Sequence, residues 1–104
     1  MISYKLENLT DKTINIIFYV ENEFCPDYLE ILRSGKKCIQ IEYSDKKAII
    51  FNKLSNIGVK IEIIKTFNSI NLKENFLGIE LNPVFKGVIE PHKTIILEFS
   101  ICKL

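Results

Sequence analysis

Residues 93–103 read Lys-Thr-Ile-Ile-Leu-Glu-Phe-Ser-Ile-Cys-Lys, and this stretch decides the fold. Apolar side chains recur at every second position, which is typical of a strand with one buried face. The predicted inward residues are Ile95, Leu97, Phe99 and Ile101. A turn is predicted just before the strand at Pro91-His92, because proline fixes the φ that the second position of a type I or II turn prefers. We therefore expect a central strand of a sheet, and its loss should unfold the protein.

The rest of the chain repeats this alternation in short segments. Further strands are predicted over residues 2–7, 13–20, 28–32, 37–43, 48–51, 57–65, 76–81 and 84–90, with a short one around 70–72. A turn at Asn82-Pro83 is expected to separate the last two. No window shows the stripe of an amphipathic helix, and β-branched residues dominate. The pattern predicts an all-β protein, an antiparallel, immunoglobulin-like β-sandwich of about seven to nine strands that forms a single domain over residues 1–104.

One resemblance supports this architecture. The sequence Ile-Glu-Pro-His-Lys at residues 89–93, followed by the long alternating strand, resembles the last turn and strand of many immunoglobulin-like sandwiches. It covers the 15 residues 89–103 and is common to the whole architecture. The resemblance therefore implies a fold and does not imply a function.

Composition and charge exclude several functional classes. The chain is 47% hydrophobic and 26% charged, with a net charge of +1, and its acids and lysines are interspersed. Only a small basic turn occurs, at Arg33, Lys36 and Lys37, so we expect neither nucleic-acid nor membrane binding. The chain has 19 Ile, 13 Lys and 9 Asn but one Ala and one Arg, which indicates a low-GC genome such as that of a bacterium, phage or plasmid.

Cysteine usage and the N-terminal sequence point to a reducing compartment. Three cysteines without a Cys-x-x-Cys pair argue against a disulfide framework. No basic segment followed by an apolar one begins the sequence, so a cytoplasmic protein is expected, with a secreted mature domain as the alternative. Asn8-Leu9-Thr10 matches a glycosylation acceptor, which means little without a secretory signal.

The cysteines, the single histidine and the acidic residues are the candidates for a catalytic or metal site. If successive strands alternate in direction, the connections at 21–27 and 90–93 share one end of the sandwich, opposite the connections at 10–12 and 82–83. Cys25 and His92 would then meet near a carboxylate, the parts of a nucleophilic triad. The candidate carboxylates are Glu21, Glu23 and Asp27. The alternative, which we favour, is that Cys25 packs as a small apolar residue and His92 is a turn residue.

A metal site is the other possibility for these residues, and we do not favour it either. Three cysteines and one histidine could form a tetrahedral zinc site, but Cys25, Cys38 and Cys102 include no closely spaced ligand pair. An acidic cluster could hold calcium, although its spacing does not match an EF-hand loop. This cluster consists of Glu21, Glu23, Asp27 and Glu30. We therefore expect no enzyme activity, metal or cofactor.

Four apolar residues give the most useful functional signal. Ile17, Tyr19, Ile64 and Ile96 each lie on the face opposite the main apolar row of their strand. If they cluster, they form an apolar patch outside the core, which favours a protein partner or self-association. The alternative is that a loop covers part of each sheet and that codon bias supplies stray isoleucines. The leading hypothesis is a protein–protein interaction module, an inhibitor, immunity or assembly accessory protein, with edge-strand addition as a possible mode of docking.

The second hypothesis is a carbohydrate- or small-ligand-binding module. Aromatic stacking combined with amide hydrogen bonds suits sugars, although the chain has no Trp. The residues predicted to form this site are Phe24, Tyr28, Phe67, Asn68 and Asn71.

Overall fold

The computed structural model describes residues 1–24, 39–53, 55–74 and 78–104. The strands in chain order are β1 (Ile2–Glu7), β2 (Ile14–Tyr19), β3 (Glu23–Phe24), β4 (Ile39–Tyr43), β5 (Lys47–Asn52), β6 (Ile57–Lys65), β7 (Ser69–Glu74), β8 (Ile79–Ile89) and β9 (Thr94–Lys103). All strand pairs are antiparallel and form two sheets, which confirms the predicted all-β class. The immunoglobulin-like detail stays a prediction, and the strand predicted over 28–32 lies outside the described residues.

The final strand is central, as predicted. The first sheet has the order β1-β9-β6-β5-β4, so β9 is hydrogen-bonded on both sides. In the second sheet, β8 pairs with β2, β3 and β7. The Glu90–Lys93 hydrogen bond closes the predicted turn, with Pro91 at its second position and a positive φ of 57° at His92. A positive φ at the third position is the requirement of a type II turn.

The core lies between the two sheets. Leu97 and Phe99 of β9 are fully buried, whereas Ile101, also predicted to point inward, is 37% exposed. Phe67 stands between the sheets, with its ring centroid 5.7 Å from that of Phe99 and 6.4 Å from that of Phe18. Edge-to-face and offset aromatic pairs at such distances add to the stability that apolar burial already supplies. The inward rows of both sheets therefore meet around Phe67.

The turn predicted at Asn82-Pro83 is wrong, because β8 runs through both residues as one strand of 11 residues. Pro83 has no N–H to donate to the Val20 carbonyl opposite it, although its own carbonyl accepts from the Val20 N–H at 3.1 Å. The side-chain amide of Asn22 donates to the Val20 carbonyl instead, at 3.3 Å, and to the Leu81 carbonyl at 3.2 Å. Pro83 is tolerated inside β8 because its nitrogen faces the interval between β2 and β3, where Asn22 supplies the missing donor.

The predicted sorting of connections onto two ends is also wrong. Strand β8 runs antiparallel to β2 with Ile89 opposite Ile14, so the turn after β8 lies beside the turn before β2. The contacts are direct: His92 Nε2 is 2.6 Å from Asp11 Oδ1, and the Thr13 hydroxyl donates to Glu90 at 3.0 Å. Connections 10–12 and 90–93 therefore share one end of the sandwich.

Candidate functional site

Among the described residues of the second sheet, the most exposed apolar side chains lie where β2 and β8 pair. Ile17 is 66% exposed and Tyr19 is 54% exposed. Val84 lies opposite Tyr19 and is partly exposed. Val88 is 50% exposed and lies opposite Asn15, which makes it a diagonal neighbour of Ile17. Diagonal neighbours on one face of a sheet are within side-chain reach of each other. We call Ile17, Tyr19, Val84 and Val88 the β2 patch.

Strand alternation places these side chains outside the core. The burial of β2 alternates at every residue, and Ile16 and Phe18 pack against the core cluster. Residues between them must therefore point outward. On β8 the inward Phe85 is buried, so its neighbours Val84 and Lys86 face the outside. The sequence prediction missed Val84 and Val88, although their alternation with Phe85 and Ile89 contains the signal.

A shallow depression of about 440 Å³ borders the patch on the outer face of the second sheet. Ile17 and Tyr19 line one side of it, and Ser69, Asn71 and Lys73 of β7 line the other. The other lining residues are Glu21, Glu80, Asn82 and Val84. An apolar strip beside a polar sheet surface is the arrangement expected of a protein-contact region.

The four residues predicted as one patch do not come together. Ile17 and Tyr19 belong to the second sheet, whereas Ile64 and Ile96 belong to β6 and β9 of the first. Ile64 is 50% exposed at a register shift between β6 and β9, and Ile96 is only partly exposed. The Thr66 hydroxyl also donates to the Ile96 carbonyl at 2.6 Å. Outward orientation is thus observed for both pairs, on different sheets.

The backbone of β2 offers free hydrogen-bonding groups. In an antiparallel ladder, the residues that bond to the neighbouring strand alternate with residues whose N–H and C=O point away. The backbone N–H of Val20 donates to the Pro83 carbonyl of β8. The backbone N–H and C=O groups of the even-numbered residues of β2 therefore point toward β8. The N–H and C=O groups of Asn15, Ile17 and Tyr19 therefore point away from β8, and β2 pairs with no other strand among the described residues.

Strand β2 also lacks the charges that protect the other outer strands. Sheet edges are commonly kept from pairing with other chains by charged residues. Among the described strands that pair on one side only, β1, β3, β4 and β7 each contain at least one charged residue, and β2 contains none. The charged residues are Lys5, Glu7, Glu23, Glu42, Lys73 and Glu74.

Among the described residues, His92 and the candidate carboxylates Glu21 and Glu23 do not come together. His92 contacts Asp11, and both side chains are largely exposed. Glu23 lies opposite Glu80, near the other end of β8 from the His92 turn, and nine strand residues span about 30 Å. Glu21, two residues before Glu23, lines the β2 depression at that same end. Cys25, Asp27, Glu30 and Cys38 lie outside the described residues.

Across the described ranges, no group of three or more His, Cys, Asp or Glu side chains is close enough to hold a metal ion. Cys102 is a free, exposed thiol on β9.

The predicted carbohydrate site requires correction. Phe67 is fully buried between the sheets and has no face for a sugar to stack on. Phe24 is partly buried against the core, and Asn68 accepts a hydrogen bond from the Lys86 backbone. Among the described members of this set, only Asn71 lines the β2 depression; Tyr28 lies outside the described residues.

Comparison with known proteins finds no matching family model, curated protein or solved structure. Within the described part of the chain, no helix is long and apolar enough to cross a membrane. The functional assignment therefore depends on the chain's own surface.

Proposed function

We propose that this protein is a non-enzymatic protein–protein interaction module that binds its partner through β2. The observation that carries the proposal is the combination, on one strand, of an outward backbone edge, no charged residue and an isoleucine that is 66% exposed. An exposed apolar edge without charges is ready to pair with another strand. Domains that present an exposed sheet edge bind extended segments of their partners by strand addition.

The mode of docking follows from the alternation along β2. A partner strand would exchange backbone hydrogen bonds with Asn15, Ile17 and Tyr19, since their groups point away from β8. Its outward side chains would pack against Ile17 and Tyr19, and its inward ones would extend the row of Ile16 and Phe18. Backbone bonds supply affinity in this mode, and side-chain pockets supply specificity.

The biological setting that fits best is an inhibitor, immunity or assembly accessory protein of a low-GC microbe or mobile element, acting in the cytoplasm. The excess of Ile, Lys and Asn supports the low-GC origin. A net charge of +1 supports a protein partner over nucleic acid or an anionic membrane.

Tyr19→Lys tests the proposal, because it places a charge on the β2 patch at a position that is 54% exposed. Tagged chain is expressed in host cells together with untagged chain, and bound protein is measured by quantitative mass spectrometry. We expect a stoichiometric protein to be recovered with the wild type and to fall at least about tenfold with Tyr19→Lys.

Ile64→Lys is the matched control, since Ile64 is 50% exposed on the other sheet. It should retain the partner, and both variants should keep the wild-type circular dichroism spectrum. Equal recovery with Tyr19→Lys and wild type would remove β2 from the binding site.

A further inference from the structure

We propose that the partner of β2 is a second copy of this chain, paired antiparallel through a two-fold axis at Ile17. This inference rests on the proposed function and names its partner. The dimer would join the second sheets of two molecules into one continuous sheet. A two-fold interface requires the same surface on both copies, and β2 meets that requirement in its backbone, its faces and its charges.

The backbone groups of β2 are symmetric about Ile17. The outward-pointing groups belong to Asn15, Ile17 and Tyr19, which are evenly spaced with Ile17 in the middle. In an antiparallel pair, Ile17 would lie opposite Ile17 of the other copy, and each Asn15 opposite a Tyr19. Each of these pairs exchanges two bonds, so about six backbone hydrogen bonds form. That number falls within the usual range of a specific interface.

The faces of the two strands also match in this register. Directly opposed residues of an antiparallel pair point to the same side of the sheet. The two Ile17 side chains would meet on the outer face, where each is now 66% exposed. On the inner face, Ile16 of one copy would oppose Phe18 of the other, which continues the apolar rows that already pack against each core.

Charge complementarity favours antiparallel self-pairing. Strand β2 is uncharged and is preceded by Lys12 and followed by Glu21, both exposed. Antiparallel pairing about Ile17 brings Lys12 of one copy to the end of the interface where Glu21 of the other copy lies. Parallel pairing would instead place like charges together. The two carboxylates near the start of β2 already have partners, since Asp11 contacts His92 and Glu90 accepts from the Thr13 hydroxyl.

The central pair makes the proposal testable with complementary charges. Ile17→Lys and Ile17→Glu each place like charges directly opposite one another in the dimer, which opposes pairing. A mixture of the two variants places Lys opposite Glu and should restore pairing. Sedimentation velocity of the reduced full chain over a concentration series measures the dimer, with twice the 12.1 kDa of one chain. Ile64→Lys is the control.

We expect the wild type and Ile64→Lys to dimerise equally. Each Ile17 variant alone should dimerise at least about tenfold more weakly, and the mixture should recover most of this loss. Three results would overturn the proposal: a wild type that stays monomeric up to about 1 mM, dimers of either Ile17 variant as tight as wild type, or a mixture no tighter than its components. A monomer that still loses a different protein on Tyr19→Lys would uphold the proposed function and reject self-pairing.

Discussion

At the scale of single residues, Asn8 does more than its position in a surface turn indicates. Asn8 is only 1% exposed. Its side-chain amide donates to the carbonyls of Lys12, Ile89 and Glu90 at 2.8, 2.9 and 3.2 Å. Its carbonyl oxygen accepts from the Thr10 backbone and hydroxyl at 2.9 and 2.7 Å. One side chain therefore joins the crossing from β1 to β2 with the end of β8.

Replacing Asn8 by Ala should destabilise the protein by about 1–3 kcal/mol, because buried carbonyls and the Thr10 N–H lose their partner. Urea unfolding followed by circular dichroism measures the change. Leu9→Ala is the control: Leu9 is 77% exposed, and the effect should stay within about 0.5 kcal/mol. If both variants unfold at the wild-type midpoint, the turn does not depend on the Asn8 network.

At the scale of elements, the interval between β2 and β3 depends on Asn22. Its amide supplies the donor that Pro83 lacks, and its backbone N–H donates to the Asn82 side chain at 3.0 Å. Asn22→Ala should therefore cost about 1–2 kcal/mol in urea unfolding. In a Pro83→Ala background the cost should be smaller, since residue 83 then has an N–H for the Val20 carbonyl.

Gln40→Ala is the control for this cycle, because Gln40 is exposed on β4 and its replacement should change stability by less than about 0.5 kcal/mol. Equal costs of Asn22→Ala in the two backgrounds would show that the Asn22 amide does not compensate for proline.

Periodicity predicts elements well when the pattern is local. The bounds 57–65 predicted from alternation are those of β6. Strand β2 is one residue shorter than predicted at each end, and β9 begins one residue later than predicted. Strand β3 was missed because its two residues are too few to show alternation, and only their pairing with Ile79 and Glu80 of β8 makes them a strand. Asn82-Pro83 is a turn signal in isolation, and it is overridden by Asn22, 60 residues earlier.

At the scale of the whole molecule, the sequence shows which side of its strand a residue faces, but it does not show which strands pair. Alternation places Ile17 and Ile96 outside the core, yet it cannot reveal that β2 pairs with β8 in one sheet and β9 with β6 in the other. This is why the predicted patch separated into two pairs. Phe67 shows the same limit, because an aromatic residue in a polar segment becomes central to the core only once both sheets close over it.

Strand order has a measurable consequence for local stability. Strand β9 lies between β1 and β6, and Leu97 and Phe99 are fully buried. Strand β4 ends the first sheet, pairs only with β5 among the described residues, and has no buried side chain. Amides of interior strands exchange with solvent only when the whole domain unfolds, whereas outer strands open locally at lower free energy.

Native-state hydrogen exchange should therefore give the amides of Leu97 and Phe99 an opening free energy equal to that of global urea unfolding, roughly 5–15 kcal/mol for a domain of this kind. The amides of β4 should open at a value lower by at least about 2 kcal/mol. The two sets come from one sample, so each controls for the other. Should β9 exchange as readily as β4, the final strand would not hold the first sheet together, and removing it would leave the remaining strands folded.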